Sequence, residues 1–185
     1  PGGAAAAVYH VDPSGVMAAT RRTLAAAGVD TLAVDFDPGL LFVDRDAFRG
    51  GRIGADSVLR QVAAGMRRLP GVLRVDRVAD LPRADTVRDV IGRRWLHMIP
   101  LDVPVELVVT LKPGHVWGRA TYAQHGAPHD YDAQVPVIFY GPWFRTGKYS
   151  QMARVVDIGP TLARVVGVRP TERLDGRVLE AALLR

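Results

Sequence analysis

The chain has 185 residues, of which 48% are hydrophobic and 23% charged, and this length allows one domain with a substantial core, or one domain with an attached lobe. It contains no cysteine, so disulfides and thiolate metal sites are excluded and any metal must be held by His, Asp or Glu. The net charge of +5 is spread along the chain, whereas nucleic-acid binding needs a clustered basic patch or a recognisable module.

No apolar run is long enough to span a membrane, so the sequence predicts a soluble globular protein. The chain begins with Pro1 and not with Met. It enters a predicted strand almost at once. We therefore expect it to be a piece of a longer protein.

The first part of the chain is predicted to alternate between strands and a helix. Ser14 is a candidate N-cap for a helix over Gly15–Ala27, and Gly28 suits the position that follows the helix C-terminus. The β-rich segments on either side of this helix predict three strands, which are Val8–Val11, Thr31–Phe36 and Leu40–Val43.

A second helix is predicted from Ala55, because apolar residues recur there at helical spacing. Pro70 and Gly71 end this pattern. A strand over Val72–Val75 and a helix over Arg83–Trp95 are predicted to follow. This alternation favours α/β or α+β packing.

The carboxy-terminal part of the chain opens with a run of β-branched residues, Val105–Leu111, which predicts a central strand. A loop over Gly118–Gln134 and a strand over Val135–Tyr140 are predicted next. Asp157 begins a last predicted helix with Pro160 in its first turn, and this helix ends near Gly167.

Two histidines and two aspartates cluster in the predicted loop, at His125, His129, Asp130 and Asp132. Loops that follow strands often deliver imidazole and carboxylate ligands to a catalytic metal. Pro128 rules out a regular helix that would pair the two histidines. From the residues alone, the cluster is either part of a metal site or a polar turn in which the aspartates cap the backbone or pair with an arginine.

The segment HGAPHDYDAQVPVIFYGPWFRTGKYS, residues 125 to 150, resembles the carboxy-terminal block of the alkaline phosphatase superfamily, in the branch of bacterial phosphatases and type I phosphodiesterase/nucleotide pyrophosphatase-like enzymes. The resemblance continues into VVDIGPTLARVVGV, residues 155 to 168, and LDGRVL, residues 174 to 179. It covers the chain well from about residue 55 to 179 and is thinner before that.

The resemblance implies an α/β fold, with part of a three-layer α/β/α sheet at residues 105 to 185 and an inserted α+β lobe at residues 1 to 104. It also implies a periplasmic or secreted hydrolase of phosphate esters that uses two zinc ions and a covalent phospho-Thr or phospho-Ser intermediate. The histidine of the block is a zinc ligand in that family. The matching residue in this chain is His125.

The sequence also departs from the family pattern. Ala127 and His129 replace the usual small hydroxyl residue and aromatic residue, so we expect His129 to be a variable neighbour and not a ligand. His10, His97 and His115 match no ligand position and are expected to be structural. The family's nucleophile, its Asp-x-x-x-His pair and its Asp-His pair have no match in the sequence.

These absences predict that the upstream half of the same enzyme supplies the missing groups, and that the chain alone is inactive and binds zinc poorly, because catalytic zinc needs about three protein ligands. Two alternatives stay open. A sulfatase or phosphomutase relative would share the helix that begins at Asp157, and a non-catalytic binding module would keep the fold without the chemistry.

Overall fold

The computed structural model describes residues 8–49, 53–100, 102–119 and 125–184. Contacts divide the chain into two compact units, Pro1–Ala133 and Gln134–Arg185, which we call the first and the second unit. The strands are β1 Tyr9–Val11, β2 Val34–Asp37, β3 Leu40–Val43, β4 Val72–Arg77, β5 Val105–Leu111 and β6 His115–Trp117. The α-helices are α1 Pro13–Ala26, α2 Ala55–Met66, α3 Val90–Met98, α4 Asp130–Ala133 and α5 Ile158–Val166.

A four-stranded antiparallel sheet with the order β2-β3-β5-β4 forms the centre of the first unit. The run of β-branched residues at Val105–Leu111 forms β5 over the predicted range, and β5 lies between β3 and β4. The prediction of a central strand is therefore confirmed. The short strands β1 and β6 pair in parallel in a separate two-stranded sheet.

Apolar side chains cover β5 from both sides. Leu107 and Val109 pack in one cluster with residues of α1 and α2, such as Leu24 and Leu59. A second cluster contains Val108 of β5. It also contains Trp95 of α3, together with Val78 and Leu81 of the 3-10 helix that follows β4. Because both faces of this strand are buried, its sequence is almost continuously apolar and does not alternate.

The predicted α/β class is confirmed, and two helix starts are corrected. The first helix begins at Pro13, because Asp12, and not Ser14, is its N-cap and accepts a hydrogen bond from the Ser14 backbone N–H at 2.9 Å. The third helix begins at Val90 and not at Arg83, since a 3-10 helix occupies Val78–Arg83 and the Asp89 side chain caps the α-helix through the Gly92 N–H.

The second unit contains little regular structure among its described residues. Its α-helix α5 follows a 3-10 turn at Val155–Asp157 and ends, as predicted, at Gly167, whose φ is +73°. The predicted strand over Val135–Tyr140 is wrong for this structure, because no strand is assigned to residues 134–140. No strand in the described part of the chain pairs with this segment, so its β-forming side chains have no sheet to join.

The predicted boundary near residue 104 stays a prediction about the longer fold. Within this chain β5 belongs to the sheet of the first unit, and the contact-based division falls after Ala133. None of the described helices is both long and apolar enough to cross a membrane.

Candidate functional site

His125 lies at the start of the segment that leads into α4, in the first unit. Its side chain is exposed, and no helix or strand is assigned to it. Gly126 has a φ of +102°, in the left-handed region that favours glycine. Directly after the histidine, the backbone therefore has a conformation that a residue with a Cβ would adopt only with strain.

Asp132 of α4 makes a hydrogen bond inside the same segment. The Asp132 Oδ2 atom accepts a hydrogen bond of 2.6 Å from the Ala127 backbone N–H. The His129 carbonyl accepts hydrogen bonds from the backbone N–H groups of Asp132 and Ala133. These contacts agree with the prediction that Asp132 caps the turn.

Arg94 of α3 fixes the same segment from outside. Its Nη1 donates to the Pro128 carbonyl at 2.9 Å, and its Nη2 donates to Asp130 Oδ1 at 2.7 Å. Asp130 is largely exposed, whereas the Arg94 side chain is 22% exposed, so the arginine is the more buried partner. The predicted pairing of an aspartate with an arginine is found here, and the arginine comes from the preceding helix.

His129 provides a third attachment. Its Nε2 lies 2.8 Å from the carbonyl oxygen of Leu111, at the end of β5, and its ring stacks on Tyr131 at 5.4 Å between centroids. The substitution that sets His129 apart from the family pattern thus joins the His125 segment to the central strand.

Two other histidines of the first unit, His10 and His115, make structural contacts. The His10 Nδ1 atom lies 2.7 Å from the Gly118 carbonyl oxygen, and the His115 Nδ1 atom lies 3.1 Å from that of Pro113. The His115 ring also stacks on Tyr9. His97 is exposed on α3.

No group of three His, Asp or Glu side chains that could hold a metal is found in the described part of the chain. Catalytic zinc is usually held by three protein ligands. The described residues therefore do not make a zinc site by themselves, and the assignment of His125 as a ligand stays a prediction.

In the second unit, hydrogen bonds of Asp157 and Thr161 link the two other segments that carry the resemblance, residues 155–168 and 174–179. The buried Asp157 carboxylate accepts hydrogen bonds from the backbone N–H groups of Arg154 and Arg177, both at 2.9 Å. The Thr161 hydroxyl donates to the Asp157 carbonyl and accepts from the Leu179 N–H at 3.0 Å. The hydrogen bond from Arg154, followed by that from Arg177, holds the pKa of Asp157 below its ordinary value.

Arg94 was not found from the sequence, because it lies 36 residues before Asp130 and no local pattern links the two. The Leu111 carbonyl was missed for the same reason, since a backbone acceptor leaves no trace in the sequence. The glycine after His125 and the two aspartates were the only available signals.

The sheet with its covering helices makes an α/β fold that two solved structures share over most of this chain. The chain is similar to the crystal structure of wild-type alkaline phosphatase PafA, with a TM-score of 0.78 and 17% sequence identity over 89% of this chain. A PafA variant with four substitutions matches with a TM-score of 0.77, also at 17% identity, over 90% of this chain.

This likeness confirms the resemblance at the level of the fold. The chain spans 32% of the length of either PafA structure. Neither a protein-family model nor a curated protein matches the sequence.

Proposed function

We propose that this chain is the carboxy-terminal part of a zinc-dependent, periplasmic or secreted hydrolase of phosphate esters, in which His125 is one of the zinc ligands. The observation that carries the proposal is the combination of an alkaline phosphatase-like fold with an HG block at the segment tethered by α3 and β5. The nucleophile and the remaining ligands belong to the upstream half of the same enzyme.

The contacts around His125 suit the role of a ligand carrier. Arg94, Asp132 and His129 attach the segment to a helix, to its own turn and to the central strand. The imidazole itself is exposed. A ligand needs this combination, because loosely held side chains lose metal affinity.

The surface of the second unit supports the upstream half as a partner. Ile138 is 82% exposed, Tyr140 is fully exposed and Val166 of α5 is 68% exposed. The two apolar core clusters found among the described residues both lie in the first unit. Large exposed apolar side chains are typical of a surface that another part of the protein covers, and we propose that the rest of an alkaline phosphatase-like core covers them.

The experiment is to measure hydrolysis of an aryl phosphate by the complete gene product. We expect activity that a chelator abolishes and zinc restores, that falls by several orders of magnitude in His125→Ala, and that stays unchanged in the control His97→Ala. The chain of 185 residues alone is expected to be inactive. Full activity of His125→Ala, or chelator-sensitive activity of this chain alone, would contradict the proposal.

A further inference from the structure

A small groove in the first unit lies beside His125. Its volume is about 120 Å³, and it is bordered by the turn between β2 and β3, the end of β5, β6 and the segment 125–132. Three aromatic side chains line it, those of Trp95, Trp117 and Tyr131. The His125 segment forms one side of the groove, and the three aromatic side chains are not among the hydrogen-bond partners that hold this segment.

The two indole rings are fixed before any ligand arrives. A Cβ added to Gly39 would stand 3.7 Å from Trp117 Nε1 and 3.8 Å from Trp95 Cη2, so both rings approach this turn. The Trp95 Nε1–H donates to the buried Thr110 hydroxyl at 2.8 Å. Phe36 packs edge-on against Trp117, with 5.2 Å between centroids.

The size and lining of the groove select the class of ligand. Pockets that enclose whole drug-sized ligands measure about 300–1,000 Å³, so this groove has room for a single ring and not for a peptide. No lysine or arginine is among the described residues that line it, which argues against the phosphate group itself. Aromatic walls favour a flat ring that stacks or meets them edge to face.

We infer that this groove binds a planar, single aromatic ring. The identity of the ring rests on the proposed function. The ring is that of the alcohol part of an aryl phosphate ester, whose phosphate lies beyond the edge of the groove that His125 forms. Ring binding itself depends only on the walls of the groove and requires no metal.

The test follows the indole N–H signals by NMR while phenol is added to this chain in the absence of zinc. The chain has three tryptophans, so each signal can be assigned with a Trp→Phe variant, and Trp143 of the second unit is an internal control. We expect a saturable shift of the Trp117 signal, an unchanged Trp143 signal, and no shift with cyclohexanol at the same concentrations. Equal shifts with cyclohexanol, or no saturable shift of Trp117, would overturn the inference.

A second measurement uses Tyr131→Ala, since Tyr131 is 63% exposed and its loss should leave the fold intact. Loss of one aromatic contact should weaken phenol binding about 3- to 10-fold, whereas the control Tyr140→Ala should leave it unchanged. Equal affinity in the two variants would contradict the inference. Because zinc is absent, failure of phenol binding and failure of the proposed hydrolase function are separate results.

Discussion

Among single residues, the structure shows that most of the polar cluster around His125 forms hydrogen bonds within the protein. Asp130, Asp132 and His129 bond to Arg94, to the Ala127 N–H and to the Leu111 carbonyl. Their polar groups are therefore used in holding the segment. His125 is the cluster's exposed imidazole, at a turn that glycine permits.

Arg94→Ala should loosen this segment. The variant removes the hydrogen bonds to Pro128 and Asp130, one of them charge-assisted but partly exposed. A cost of about 1 kcal/mol corresponds to roughly five-fold faster local opening. Hydrogen exchange of the Ala127 and Asp132 amides measures it.

The matched control is Arg93→Ala. Arg93 neighbours Arg94 on α3, is exposed, and bonds only to the Thr86 carbonyl among the side-chain contacts found for it. Its loss should leave exchange in the segment unchanged. Equal exchange in the two variants would show that Arg94 does not hold the His125 segment.

At the scale of elements, the two motifs DIGPTL and LDGRVL form one interlocked structure. Asp157 and Thr161 at the start of α5 bond to the backbone of residues 177 and 179. Gly176 allows this approach, because an added Cβ would lie 1.9 Å from the Val156 carbonyl oxygen. Close packing against the backbone of Val156 therefore requires a glycine at position 176.

Gly176→Ala should destabilise the second unit. The new methyl group meets backbone, which cannot swing aside, so we expect a loss of about 1–3 kcal/mol or more in the free energy of unfolding. Chemical denaturation followed by Trp143 fluorescence measures it. Trp95→Phe and Trp117→Phe changes in the background remove the other tryptophan signals.

The control for this prediction is Gly159→Ala in α5. A Cβ there meets nothing within 4 Å, and alanine favours the helix by roughly 0.5–1 kcal/mol. The two glycine variants should therefore change stability in opposite directions. Similar destabilisation by both would mean that the contact with Val156 does not constrain position 176.

At the scale of the whole molecule, the sequence predicts best where local chemistry decides the structure. The run at Val105–Leu111 is β-branched and bounded by prolines, and it forms β5 as expected. Gly28, which was predicted to follow the C-terminus of the first helix, has a positive φ as expected. Local signals of this kind do not depend on distant partners.

The predictions that failed depended on partners elsewhere. Residues 135–140 have strand propensity, but a strand forms only against a neighbouring strand, and the described residues supply none. The three-residue strand β6 was not predicted, because it is stabilised by pairing with β1 more than 100 residues earlier. Arg94 was missed for the same reason.

The proposed function requires that His125 binds zinc in the complete gene product. Anomalous diffraction at the zinc edge, from crystals of that protein, tests it most directly. We expect an anomalous peak at about 2.0–2.1 Å from a ring nitrogen of His125. Zinc peaks bound by other residues while His125 stays uncoordinated would contradict it.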